Sequence, residues 1–345
     1  MGLGRLCSAL ALLAAVAAAP SGADARELMV VGFGGGFQDN ARNDLFQAYA
    51  KATGESVRDD VYNGELARIT AMVQAHNVTW DVVMVEAPEL VRGCEDGTFA
   101  RIDYAVVRRD KFMPGSATTC GVGAVGWGVS LFYDQKRFPE GPKTYADMWD
   151  LQKWPGKRLM RSGPKMTLEI ALLADGVAPD KVYQVLATKE GQDRAFHKLD
   201  AIKPELLWWK AGTQPLQLIG SGEVAFAVGY VGRTAHAVAG GASYPLLWNT
   251  LLYSYDSWTV VKGSPNAAEA MRFLDFITDP APLENLAQHW EISPATRAVA
   301  EDPAVRQRNP AMIANHQAEG LFIDTGFWSE HGEDLEKRFA VWASH

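Results

Sequence analysis

The 345-residue chain lacks most of the features that announce an enzyme, a nucleic-acid binder or a membrane protein. It has only three cysteines, Cys7, Cys94 and Cys120, an odd number. Basic residues are the minority: 33 Lys and Arg stand against 41 Asp and Glu, a formal net charge of -8. That balance excludes a general nucleic-acid binder, because neutralising phosphates requires clustered Lys and Arg. Beyond the N-terminal segment no stretch reaches the run of about 18 apolar residues expected of a membrane-spanning helix. There is no GxSxG elbow, no HExxH and no Walker sequence, so the readable signatures of α/β-hydrolases, zinc proteases and P-loop enzymes are absent. The seven histidines show no ligand spacing with one another or with cysteine, so no metal site is expected. No repeat, low-complexity tract or linker rich in Pro, Ser or charge divides the chain. What is present is core material: 48% of residues are hydrophobic and 21% charged, enough for one large domain or two of ordinary size.

The N-terminus reads as an export signal. Arg5 supplies a short positive region, Leu6 to Ala19 is apolar but too short to span a bilayer, and Pro20-Ser21-Gly22 breaks it. Ala23-Asp24-Ala25 puts small residues at the positions a signal peptidase reads. Cleavage is expected after Ala25, so residues 1–25 are a signal peptide and the mature chain starts at Arg26. Cys7 lies at the start of the apolar stretch rather than after it, which argues against a lipid anchor. Its removal leaves Cys94 and Cys120, and in an oxidising compartment two remaining cysteines read as one disulfide. Loss of Arg5 and Asp24 together leaves the net charge unchanged.

The mature chain alternates strands and helices. Residues 27–32 (ELMVVG) read as a buried strand, followed by a Gly34-Gly35-Gly36 loop and a helix capped by Asp39 or Asn40 and running to about Thr53. Ser56 to Tyr62 and Trp80 to Glu86 read as strands around a helix from Gly64 to His76. This β-α-β-α-β order predicts a parallel sheet covered by helices on both faces. Gly121 to Tyr133 reads as a glycine-containing strand crossing between lobes. Further strands are expected at 157–160, 223–230 and 253–261, with helices between them and a mostly helical C-terminal part from Pro265.

Three motifs carry chemistry. Gly32-Phe33-Gly34-Gly35-Gly36-Phe37 follows a strand and precedes a helix, but the third glycine of a dinucleotide fingerprint falls on Phe37, so no nucleotide cofactor is expected. It reads either as a backbone cradle for a ligand oxygen or as a plain tight turn. Paired carboxylates at Asp59-Asp60, Glu95-Asp96 and Glu333-Asp334 read as solvated faces. Tyr253-Ser254-Tyr255-Asp256-Ser257-Trp258 sets a carboxylate inside an aromatic strand. Alternation puts Ser254, Asp256 and Trp258 on one face. A carboxylate beside an aromatic ring suits an ammonium ligand; a structural ion pair beside a core tryptophan is the competing reading.

The segments WDVVMVEAPEL, CGVGAVGWGVSLFYD, TYADMWDLQKWPGKRLM, QPLQLIGSGEVAFAVGYVGR and YDSWTVVKGSPNAAEAMRFLDFI occur in order along the mature chain. Together they resemble the periplasmic solute-binding proteins of ABC importers, in the branch that includes the spermidine/putrescine-binding proteins. The resemblance implies an α/β, two-lobed periplasmic binding protein fold (type II), with parallel-type sheets flanked by helices and a hinge of crossing strands. It implies a first lobe of residues 26–127 plus 258–296 and a second of 128–257 plus 297–345. It implies a periplasmic monomer that is not an enzyme, holds a small ligand between its lobes and delivers it to an inner-membrane permease.

Ligand-facing positions carry over one at a time: Phe37 and Gln38 after the first strand, Glu86 at the end of WDVVMVE, Tyr230 as a pocket wall, and Asp256 as ammonium acceptor beside Trp258. Trp127 and Trp209 are further wall candidates. One departure stands out. Polyamine binders of this branch present acids after the strand that ends at Met160. Here the segment is Arg161-Ser162-Gly163-Pro164-Lys165-Met166, with two bases and no acid. The expected ligand is therefore a zwitterionic ω-amino acid such as 4-aminobutyrate, its amine on Asp256 and its carboxylate on Arg161 or Arg233. A polyamine is the closest alternative. Ferric-ion capture by Tyr253 and Tyr255, or a two-lobed enzyme, are the alternatives from other classes.

Overall fold

The computed structural model describes residues 26–289 and 293–344; the expected signal peptide, with Cys7, and His345 lie outside them. The chain begins with β1 (Leu28–Gly32), α1 (Gly35–Ala41), a π-helical turn (Arg42–Phe46) and α2 (Gln47–Thr53). There follow β2 (Val57–Val61), α3 (Leu66–Gln74), β3 (Val82–Val85) and α4 (Ala87–Glu95). β1 pairs in parallel with both β2 and β3, as the alternating order requires. Val30, Val31, Val82 and Val83 are buried, because helices cover both faces of these strands. Arg26, the first described residue, is clamped: its guanidinium donates to both oxygens of buried Asp81, at 2.8 Å each.

The first helix starts earlier than the sequence predicts. Asp39 and Asn40 lie inside it, and its N-cap is Gly34. Gly34 sits at φ 72° and ψ -162°, a region essentially confined to glycine, and Gly35 follows at φ 70°. Two permissive residues let the chain turn into the helix without a side-chain cap. Gly34→Ala is expected to cost about 2 kcal/mol in a urea-denaturation measurement. A Cβ there also stands 3.2 Å from Val61 Cγ1, whereas one at Gly35 meets open space. Unchanged stability in Gly34→Ala would contradict this account.

β4 (Gly121–Tyr133) is the long crossing strand. Its first part, to Val129, pairs with β8 (Leu252–Val260), and its last part pairs with β7 (Val224–Tyr230). Between β4 and β7 the chain makes β5 (Lys157–Arg161), α5 (Thr167–Ala174), α6 (Val182–Leu186), α7 (Lys189–Asp200), β6 (Leu206–Trp209) and α8 (Gln214–Gly220). α9 (Val231–Ala239) precedes β8. After β8 come α10 (Ala267–Ile277), α11 (Pro280–His289), β9 (Ser293–Pro294), α12 (Arg297–Ala300), α13 (Pro303–Arg308), β10 (Leu321–Phe322) and α14 (Thr325–Ser344). The strand order β2-β1-β3-β8-β4-β7-β5-β6 forms one continuous sheet. Its two ends, β2-β1-β3 and β7-β5-β6, are parallel; β4 and β8 are antiparallel to their neighbours and tie the ends together. The sequence did not announce β6 or α9. β6 is an edge strand whose LLWW run is followed by a polar stretch, and α9 offers no capping residue.

The protein is two-lobed, with a large apolar core on each side of the crossing strands. The first contains Val30, Met84, Trp258 and Leu274; the second contains Leu131, Met160, Leu168, Phe327 and Leu335. Val299, Val305 and Met312 also pack in the first core, while Leu321 and Ile323 pack in the second. Side chains of the first core thus continue past residue 296. Cys94 and Cys120 form the expected disulfide, with Cα atoms 5.7 Å apart.

Candidate functional site

The crossing strands bring the predicted carboxylate to the middle of the molecule. Asp256 on β8 stands opposite Val125 on β4, beside an irregularity between Gly123 and Val125. Trp127 Nε1 donates to Asp256 Oδ1 at 2.8 Å. No described residue donates to Oδ2, so half of this carboxylate is open to a ligand. Burial pushes the Asp256 pKa well above the usual carboxylate range, and the Glu86 charge adds to the effect. A cationic ligand group relieves both penalties.

Aromatic rings build the second-lobe side. The Trp127 ring meets Tyr230 edge-on at 6.0 Å, and Tyr230 meets Trp209 at 5.3 Å. Tyr230 ends β7 and caps α9, so its side chain stands at a strand terminus, where loops and pockets form. Burial raises its phenol pKa; Arg161 opposes, Glu86 and Asp256 add, and Arg233 opposes. One phenol therefore senses both acids and both arginines. A Cβ on Gly212 would stand 3.0 Å from the Tyr230 ring and 3.2 Å from Arg233 Nε, so this glycine leaves room for both side chains. Among the described residues, neither the Arg161 nor the Arg233 guanidinium has a hydrogen bond or ion pair.

The first-lobe side carries acids. Glu86 ends the third-strand motif and caps α4 with extended backbone. Its Oε2 accepts from Lys165 Nζ at 2.8 Å. Burial opposes ionisation of Glu86, but Lys165, with Arg161 behind it, holds its pKa below the usual value. Glu89, one turn on, is raised by burial and by Glu86, and its buried Oε2 has no hydrogen-bond partner among the described residues. Tyr62 closes this side: its hydroxyl donates to Met84 O at 2.6 Å, and Phe33 stacks on its ring at 5.4 Å. Sequence reasoning did not single out Tyr62, Glu89 or Lys165. Only Lys165 left a signal, as a base where the branch presents acids.

Other positions expected to face a ligand have protein partners of their own. Gln38 is buried; its amide accepts from Gly34 N and donates to Asp59 and to Asp60 O, so it secures the glycine loop. Phe37 is half-buried against the first core. The aromatic partner of Asp256 is Trp127 and not Trp258, which is buried against Phe46 at 6.3 Å beneath the helices of the first lobe. Trp209 is buried too, its Nε1 donating to Val228 O, and it supports Tyr230 from behind. Tyr255 is buried and accepts from Gln317, and Tyr253 packs on Phe322 at 5.4 Å, so these tyrosines do not converge as a ligand pair.

Two α/β lobes joined by crossing strands, with charged groups of both signs gathered at the crossing, fit a solute-binding protein. The description "bacterial extracellular solute-binding protein" matches residues 12–314, and the chain belongs to that family. A gamma-aminobutyric acid-binding protein of Pseudomonas aeruginosa is 39% identical over 340 residues, covering 98% of this chain and 96% of the relative. A solved GABA receptor superposes with a TM-score of 0.83 at 29% identity, covering 92% of this chain and 97% of that one. An ABC transporter substrate-binding protein from Bradyrhizobium japonicum gives 0.83 at 31% identity, covering 92% and 99%. These relatives are transport proteins that bind substrates. Among the described residues, no helix is long and apolar enough to cross a membrane.

Proposed function

We propose that the protein captures a short ω-amino acid of the 4-aminobutyrate type in the periplasm and delivers it to the permease of an ABC importer. The observation that carries this reading is the pairing of charges around Tyr230. Asp256 offers an open carboxylate oxygen on one side, and Arg161 and Arg233 offer unpaired guanidinium groups on the other. A ligand with an ammonium at one end and a carboxylate at the other satisfies both. The 39%-identical gamma-aminobutyric acid-binding relative supports the same choice. A signal peptide ending at Ala25 fits the extracellular family, and binding as a monomer needs no second subunit.

Capture works by closure. The lobes rotate about β4 and β8, and ligand favours the closed state because only there do both lobes touch it. The packing of Val299, Val305 and Met312 supports a first lobe that extends to about residue 312 rather than ending at 296.

Isothermal titration of the mature protein tests the reading. Saturable binding of 4-aminobutyrate, tighter than that of 1,4-diaminobutane or spermidine, is expected. Binding of the polyamines alone would replace it with the polyamine alternative.

A further inference from the structure

Two further carboxylates bear on Asp256: it is pushed up by burial and then by Glu86, with a smaller contribution from Glu89, while Trp127 and Lys165 oppose. Two acids facing one cleft are what a diamine needs. Here one of them is already occupied. Lys165 crosses from the second lobe and places Nζ 2.8 Å from Glu86 Oε2, with only 16% of its side chain exposed.

The backbone that aims Lys165 is unusual. Gly163 lies at φ 119°, and Met166, immediately after the lysine, lies at φ 73° although it is not glycine. Met166 is buried in the second core, which holds it in that conformation. A buried residue kept at positive φ is costly, and such strain persists only where the surrounding packing imposes it. The loop is thus rigidly built, and its product is a cation delivered to Glu86.

We propose that Lys165 is a specificity-determining residue: its ammonium occupies the second cation position of the cleft and restricts the site to ligands with one amine. This rests on the reading of Asp256 as the ammonium acceptor. With Glu86 paired from within, Asp256 keeps an open oxygen for a ligand ammonium, and Arg161 keeps an unpaired guanidinium for the ligand's anionic end. A diamine entering on Asp256 brings its second charge toward Lys165 and Arg161, where like charges repel it and Glu86 is already paired.

The test compares 4-aminobutyrate and 1,4-diaminobutane by titration calorimetry on the mature protein and on Lys165→Met, which keeps an unbranched chain and removes the charge. The variant is expected to bind the diamine at least about tenfold more tightly than wild type, because Glu86 is released to accept it. Adding Glu86→Gln to Lys165→Met is expected to abolish that gain. A lysine that merely latched the lobes would weaken both ligands alike, leaving their ratio fixed and insensitive to Glu86→Gln. An unchanged ratio in Lys165→Met therefore overturns the proposal while leaving 4-aminobutyrate binding by wild type intact. Wild type that binds no 4-aminobutyrate overturns the underlying reading instead. If Lys165→Met does not fold, Lys165→Gln removes the same charge and carries the same expectation.

Discussion

Asn in place of Asp256 is expected to weaken binding of 4-aminobutyrate by about 100-fold or more, without unfolding the protein. A charge-assisted bond from a ligand ammonium to a carboxylate in a partly desolvated site is worth about 3 kcal/mol, and Asn supplies the shape without the charge. The acceptor for Trp127 Nε1 survives in the variant, because an Asn oxygen can take the place of Oδ1. The unliganded protein gains: a carboxylate that burial and Glu86 oppose is gone, so the apo variant is expected to be at least as stable as wild type. Binding also carries a pH signature. The ligand ammonium needs ionised Asp256, whose pKa is well above the usual range in the empty cleft. Affinity should fall as pH drops below that value, and ligand uptake near it should release a proton, read as a buffer-dependent binding enthalpy. Undiminished affinity in Asp256→Asn would show that the amine binds elsewhere.

The contrast between Asp256 and Trp258 explains what the sequence could and could not convey. Strand alternation correctly isolates the Asp256 face, because period-two geometry is local. Which neighbour completes the site is not local. Trp127 reaches Asp256 because β4 pairs with β8 across 129 positions of sequence, and an irregularity in the pairing sets their register. Trp258, only two residues away, passes under the first-lobe helices and becomes core. The same holds for Gln38, whose partners at Asp59 and Asp60 come from the neighbouring strand β2. The β-α-β-α-β order was readable because β1 and β3 are buried apolar runs and α3 between them keeps helical spacing of its apolar residues. β6 was not, since an edge strand ending in two tryptophans and followed by a polar loop has no distinctive period. α12 and α13 are equally hard to assign from sequence, being short helices that reach the first core through a few side chains, Val299 and Val305 among them. Family resemblance pointed to Asp256 as a candidate ammonium acceptor; it could not show that Lys165 pairs with Glu86.

A second large effect lies away from the cleft, at Glu169 on α5. This carboxyl is fully buried; its Oε1 accepts from Trp328 Nε1 at 2.7 Å and from Tyr183 Oη at 3.0 Å, and its Oε2 has no hydrogen-bond partner among the described residues. Trp328 belongs to α14, so Glu169 fastens the C-terminal helix to the second lobe. Burial raises its pKa from 4.5 to about 7, only partly offset by these bonds and its backbone contacts. The groups facing it, Tyr145 and Tyr183, stay neutral throughout this range, being raised themselves by burial. The sign follows from linkage. Below pH 4.5 both folded and unfolded chains hold the proton, and Glu169 makes no pH-dependent contribution. Between 4.5 and about 7 the unfolded chain has lost its proton while the folded one keeps it, so stability declines as pH rises. Above 7 the full penalty, about 3 kcal/mol, is in place. Glu169→Gln keeps an oxygen for Trp328 and Tyr183 and cannot ionise. Urea melts of both proteins from pH 4.5 to 8 are expected to diverge, the variant gaining about 3 kcal/mol relative to wild type across that interval. Parallel curves would mean that the folded protein accommodates the ionised carboxylate at no cost, and that the α5–α14 contact does not depend on its proton.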